Sequence, residues 1–202
     1  SPEKISIAFW GVDSTMFTPA KETPPGFRVL FVGGDPIRKG LRYLLQALEG
    51  LNDWELWIVG CAPLDRPPSR IKQFGMVSHS EMPAIMRQCH VLVCPTLEDG
   101  IALCIQEAMA SGLAVIGTPE VAEVFEDGVS GYMVPYRDVD TILKTLKRLR
   151  DEGSRQATGV LAWGLAKEQT WTQTKEDVKE IIRRVMHGGS LPFESSLPWL
   201  HQ

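Results

Sequence analysis

Asp99 and Glu107 stand eight positions apart in the stretch from Pro95 to Gly112, on either side of a glycine loop and a helix start. The apolar run from His90 to Cys94 reads as a buried parallel strand and Ala108 to Ala110 as helix. The loop between them therefore leaves a strand at its carboxyl end, where ligands of open α/β sheets bind. Two carboxylates so placed suit a phosphorylated sugar. Glu107 lies about a turn into the helix, where its two oxygens can accept from both hydroxyls of a ribose, a task that falls to a carboxylate in dinucleotide folds as well. Gly100 and Ala102 keep the loop narrow, and the amides from about Ala102 to Cys104 face an anion at the positive end of the helix. A helix-dipole role for Glu107 and a turn role for Asp99 account for the same spacing.

A second turn, Val32 to Gly40, leaves the first predicted sheet strand and enters a helix. Gly33 and Gly34 let a ligand approach backbone amides, and Arg38 and Lys39 add positive charge that can hold a diphosphate without a metal. A tight strand-to-helix turn with two exposed basic residues explains these positions equally well. The turn is neither a Walker sequence nor a G-x-G-x-x-G fingerprint, which disfavours ATPase and dinucleotide readings.

Other chemistry finds little support. No His, Cys, Asp and Glu cluster has zinc or calcium spacing, no Gly-x-Ser-x-Gly nucleophile motif occurs, and no cofactor is implied. His79 reads as an exposed loop histidine within reach of a ligand, and His90 as structural. The charge of −4 and a pI near 5.6 give no pull toward nucleic acid, and the six tryptophans form no basic-aromatic stripe. Trp163 and Trp171 are expected to pack the terminal helices. Cys61, Cys89, Cys94 and Cys104 lack paired C-x-x-C spacing and read as small core hydrophobes, which fits a reducing, cytoplasmic compartment. Lys144, Lys147, Arg148 and Arg150 read as a solvated helix face, with peripheral contact to an anionic membrane as the sharper alternative.

The elements that must position these groups alternate as in a doubly wound, Rossmann-like parallel sheet. Strands are expected at 28–32, 54–59, 71–74, 90–94, 113–117 and 132–134. Helices are expected at 39–50, after Ser80 as cap, at 103–110, near 121–126, from Asp138 or Asp140 to about Asp151, at 153–167 and at 171–186. The division is an entry strand and linker over 1–27, the α/β domain with its closing helices over 28–187, and a tail over 188–202.

In these segments the chain resembles the nucleotide-sugar-binding half of glycosyltransferase family 4, of GT-B architecture. Asp99-Gly100-Ile101-Ala102, Glu107 and Ala108 to Gly112 match the family's Glu-Gly-Phe-Gly, second Glu and Ala-Met-Ala-x-Gly. Gly11-Val12-Asp13 with Phe17 and Pro19 resembles the entry strand, Val32-Gly33 with Lys39-Gly40 the phosphate loop, and Phe74-Gly75 with Val77 the base loop. Glu123, Asp127-Gly128, Gly131, Pro135 and Trp171 match further along. The resemblance implies that Lys39 and Arg38 hold the donor diphosphate beside Gly33 and Gly34, and that amides near Met76 and Val77 contact the base. Glu107 would bind ribose. Asp99 and the amides of Gly100, Ile101 and Ala102 would contact the transferred sugar, and the helix starting near Leu103 would help bind phosphate. Transfer would proceed with retention, the leaving phosphate helping to deprotonate the acceptor, and catalysis through Asp99 and Lys39 would be positioning and stabilisation of the departing diphosphate.

Five departures stand out. Gly34 replaces a frequent arginine, Asp99 is shorter by a methylene, Ala102 replaces a glycine, Pro119-Glu120 replaces paired glycines, and Trp10 replaces an asparagine. They imply an atypical donor or a reduced activity. The chain is expected to be a C-terminal donor domain, the acceptor domain lying N-terminal to it, with little turnover alone. A non-catalytic binding or interaction module, or half of a GT-B-like epimerase or phosphorylase, are the alternatives. Leu191, Phe193, Leu197, Trp199 and Leu200 in the tail are expected to be disordered or to dock on a partner domain.

Overall fold

A computed structural model describes residues 10–100 and 102–186. The calls made on 1–9, on Ile101 and on the tail from 187 lie outside these residues. Six parallel strands, β1 (Arg28–Val32), β2 (Glu55–Val59), β3 (Ile71–Gly75), β4 (Val91–Cys94), β5 (Ala114–Gly117) and β6 (Tyr132–Met133), lie in the order β3-β2-β1-β4-β5-β6. The order reverses between β1 and β4. That point is the crevice where a doubly wound sheet takes its ligands.

Side chains alternate across the sheet with period two and feed two separate cores. Val29, Phe31, Val91, Val93, Ala114 and Ile116 pack under α1 (Leu41–Glu49) and α4 (Val139–Leu149). Leu30, Leu92, Cys94 and Val115 face the opposite way, under α2 (Met82–Met86), α3 (Leu103–Ala110) and α5 (Glu152–Glu168). Burial on both faces explains why these strands read as continuous apolar runs. Asp138 caps α4 by accepting from Thr141 N at 2.9 Å, and Asp151 caps α5 by accepting from Ser154 N at 2.8 Å.

Several element ends shift by one residue from the sequence expectation, and four larger differences have a local cause. Helix α1 starts at Leu41, because Gly40 takes a left-handed conformation (φ 71°) and a β-carbon there would lie 2.0 Å from Pro95 O. Ser80 does not cap α2; Ser78 donates through N and Oγ to Glu81 at 2.8 and 2.6 Å. The segment near Val121 is a 3₁₀ turn over Pro119–Val124. Among the described residues the entry segment forms a single bridge, Val12 to Thr170, and Val12 N donates to Gln169 O at 2.9 Å. α6 (Trp171–Met186) follows that bridge and buries none of its residues fully.

Candidate functional site

Three elements carry the site residues expected from the sequence, and two of them meet where the strand order reverses between β1 and β4. The first is the turn after β1. Asp35 Oδ1 accepts from Ile37 N at 2.9 Å and Arg38 N at 3.0 Å, folding the turn back on itself. Gly33 leaves room for the stem of Lys39, whose Cγ would be 2.7 Å from a β-carbon at that position. Gly34 is exposed.

The second element is the loop after β4, stitched to that turn through the backbone. Leu97 N donates to Arg38 O at 2.9 Å, and Arg38 Nη1 donates to Glu98 O at 3.2 Å. This stitching brings Lys39 Nζ onto Asp99 Oδ2 in an ion pair. The two side chains are only 12% and 10% exposed. Asp99 Oδ1 accepts from Gly100 N at 3.0 Å. Both carboxylate oxygens thus already have partners, and Arg38 is engaged with a carbonyl.

The third element is α3, which begins after Ala102, a buried residue, with Leu103 half-exposed. Glu107 Oε1 meets His79 Nε2 at 2.8 Å. The ring of His79 rests on the buried Phe17, centroids 5.2 Å apart. Asp13 accepts from Thr15 and Met16 nearby, hydrogen bonds that hold its carboxyl below the usual range. A cavity of about 60 Å³ opens between Asp13, Phe17, His79, Leu103, Glu107 and Trp171. Met76 is exposed and Val77 half-buried after β3.

The structure places Lys39 in the turn before α1, Asp99 in the loop after β4 and Glu107 on α3, and gives each of the three a protein partner that the sequence did not announce. His79 lies 28 residues before Glu107, and no periodic pattern links a loop to a helix across that span. The cysteines are free thiols, and Cys94 and Cys104 touch at the foot of the loop. The hydrogen bond to Cys94 and then burial push the Cys104 thiol up, as burial pushes Cys89 up to about 12. Glu120, an added negative charge in sequence terms, accepts from Tyr136 Oη at 2.6 Å. Trp171 is 38% exposed and meets Trp10 edge-on, so it packs the entry segment more than the terminal helices. Among the described residues no group of three or more His, Cys, Asp or Glu is placed to hold a metal ion, and no helix is long and apolar enough to cross a membrane.

Residues 26–152 match the family model described as "Glycosyl transferases group 1". The chain belongs to this family. Its sequence is 29% identical over 198 residues to an MMP α-(1→4)-mannosyltransferase of Mycolicibacterium hassiacum, covering 84% of this chain and 48% of the relative. It is 28% identical to a putative colanic acid biosynthesis glycosyltransferase of Salmonella typhimurium, covering 72% and 42%. The chain thus spans about half the length of the curated relatives it matches. Among solved structures, the C-terminal domain of a group 1 family glycosyl transferase from Francisella tularensis superposes with a TM-score of 0.70 at 25% identity. That match covers 79% of this chain and 98% of the domain. The Anabaena protein HepE, solved in complex with UDP-glucose, superposes with a TM-score of 0.78 at 16% identity, covering 88% of this chain and 57% of its own. The fold is that of the C-terminal domain of GT-B glycosyltransferases.

Proposed function

We propose that this chain is the donor-binding half of a retaining glycosyltransferase and holds a nucleotide-diphosphate sugar over the β1/β4 crevice. The observation that carries the reading is the Lys39–Asp99 pair, which joins the turn after β1 to the loop after β4 where the strand order reverses, with Glu107 on the helix that continues that loop. Lys39 supplies the charge for the diphosphate, assisted by Arg38 and by the amides of Gly33 and Gly34. Glu107 takes the ribose hydroxyls once His79 yields its place, and the amides of Met76 and Val77 meet the base edge. Asp99 and the backbone of Gly100 and Ala102 lie nearest the transferred sugar, with the amino end of α3 at Leu103 beside the phosphates. Lys39 and Asp99 act in catalysis by stabilising the departing diphosphate and by positioning. The acceptor belongs to an N-terminal domain. Two related facts support the reading: a mannosyltransferase is among the sequence relatives, and HepE was solved with UDP-glucose. Contact with a membrane surface would rest on Lys144 and Lys147, since Arg148 stacks on Tyr132 and Arg150 donates to Asn52 O.

Calorimetry with uridine, guanosine and adenosine diphosphate sugars tests the proposal. One nucleotide class binds at micromolar to submillimolar concentration, and Glu107→Ala weakens it roughly 10- to 100-fold, the worth of hydrogen bonds to a charged acceptor. No binding of any at millimolar ligand sinks the proposal in favour of a non-catalytic module.

A further inference from the structure

We propose a second ligand site, for a phosphate dianion, free or as a monoester, held between the guanidinium groups of Arg155 and Arg87 at the amino ends of β4 and β5. It lies at the edge of the sheet opposite the Lys39–Asp99 pair and does not rest on the donor reading.

Backbone packing builds the site. A cavity of about 120 Å³ opens where the loop 19–24 meets the turn between α3 and β5 and the first turn of α5. Gly159 lets α5 lie directly on that turn, since a β-carbon there would meet Gly112 O at 2.3 Å. Arg155 stands four residues earlier on the same helix face and is carried with it to the cavity wall. On the other side, a β-carbon at Gly112 would lie 3.1 Å from Pro19, and His90 Nε2 donates to Pro24 O at 2.9 Å, which pins the loop as the outer wall. The space continues into a groove of about 660 Å³ along residues 18–25, and Arg87 lines both.

The charge in this cavity is unbalanced. Arg155 is 9% exposed, and its Nη1 donates to Leu149 O at 3.1 Å and Arg150 O at 3.3 Å. Among the described residues its Nε and Nη2 have no acceptor, and neither is sealed from the surface, so they open on the cavity. Neither Arg155 nor the half-buried Arg87 belongs to an ion pair among the described residues. Burial pulls the Arg155 pKa below the usual arginine value, and Glu152 and Asp151, whose oxygens already serve Gln156 and Ser154 N, offset only part of this. A buried cation without a counter-ion is costly, and a bound anion removes that cost. The other titratable groups of the walls do not supply one. His90 is held neutral by its two hydrogen bonds, burial pushes the Cys89 thiol up to about 12, and Glu22 is an exposed side chain that water screens. A carboxylate ligand satisfies one guanidinium fork, whereas a phosphate dianion has oxygens and charge for two forks arriving from separate elements.

Thermal scans and calorimetry on this chain test the site, with inorganic phosphate and glycerol phosphate as probes and sodium chloride at matched ionic strength as control. Phosphate is expected to raise Tm above the chloride control. Arg87→Ala breaks no ion pair, so it is expected to fold as the wild type does and to weaken phosphate about tenfold, the worth of one charge-assisted hydrogen bond. Arg155→Lys keeps a charge beside Leu149 O, loses the fork, and weakens phosphate to a similar extent. Lys39→Met leaves phosphate affinity unchanged. Tighter binding of glycerol phosphate than of inorganic phosphate assigns the site to a monoester lying along the groove, and equal binding assigns it to free phosphate. No rise over chloride, or an affinity that both arginine substitutions leave unaltered, overturns the proposal. Loss of the phosphate effect in Lys39→Met places the anion between β1 and β4 and overturns it as well.

Discussion

Lys39 and Glu107 each meet a protein partner at the atom that the proposal reserves for a ligand. The two pairings differ in strength. The Lys39 and Asp99 side chains are nearly excluded from water, whereas His79 is 62% exposed, which places its contact with Glu107 among surface pairs worth about 0–1 kcal/mol. On the donor-site proposal, ribose hydroxyls displace His79 at little cost. His90 is the contrasting histidine. Its Nδ1 accepts from Arg28 N at 2.9 Å and its Nε2 donates to Pro24 O at 2.9 Å, an arrangement that only the neutral ring can make. Burial lowers its pKa below the usual histidine value, helped by Arg155 and Arg28 and opposed by the bond to Pro24. The sign follows from linkage: below about pH 6.5 the unfolded chain takes up a proton that the folded chain resists. Stability is thus full above pH 6.5 and declines as pH falls toward the lowered folded value. Urea midpoints at pH 7.5 and 5.5 show this decline in the wild type and a flatter response in His90→Gln. An equal slope in both would place the pH dependence elsewhere.

At the scale of elements, the site depends on where helices are allowed to begin. Gly40 holds a left-handed conformation against Pro95 O and so sets both the start of α1 and the approach of the β4 loop that carries Asp99. Gly40→Ala meets strain at positive φ and a backbone clash together. It is expected to cost roughly 1–3 kcal/mol of stability, seen as a lower urea midpoint, and to weaken nucleotide binding by displacing Lys39 from Asp99. Unchanged midpoint and affinity would show that the turn relaxes freely. This position also marks the limit of what the residues reveal. The apolar runs at Val29–Phe31, Val91–Cys94 and Ala114–Ile116 announced buried parallel strands, since both faces are covered. Asp138 and Asp151 announced helix starts through their capping oxygens. Local pattern could not show that Gly40 delays α1 by two residues, that Ser78 and Glu81 close the turn before α2, or that the entry segment makes one bridge to Thr170. Each is decided by a neighbour distant in sequence or by a turn conformation. The site follows the same rule: the helix that carries Glu107 was legible, while the contact with His79 joins α3 to the turn before α2 across 28 residues.

For the whole molecule, the consequence of drawing the site from separate elements is that ligand and fold are coupled. A nucleotide spanning Lys39, Asp99 and Glu107 bridges the turn after β1 to the loop after β4 and to α3, which continues that loop, with 60 residues between Lys39 and Asp99. Any ligand that binds the folded chain and not the unfolded one stabilises by mass action, about 2.7 kcal/mol at one hundred times Kd. For a domain of this length that corresponds to a rise in Tm of roughly 5 to 10 °C. A thermal scan with the preferred nucleoside diphosphate should show this rise, and Lys39→Met should abolish most of it. Should the rise persist in Lys39→Met, the diphosphate is held elsewhere. The same scan with the sugar conjugate adds a second reading, because the chain spans about half the length of its relatives and the acceptor is assigned to the other half. The conjugate should stabilise as the diphosphate does and be recovered intact after incubation, since rate enhancement by positioning needs both reactants held together. Rapid release of free sugar by this chain alone would mean that the crevice between β1 and β4 carries out bond cleavage without an acceptor domain.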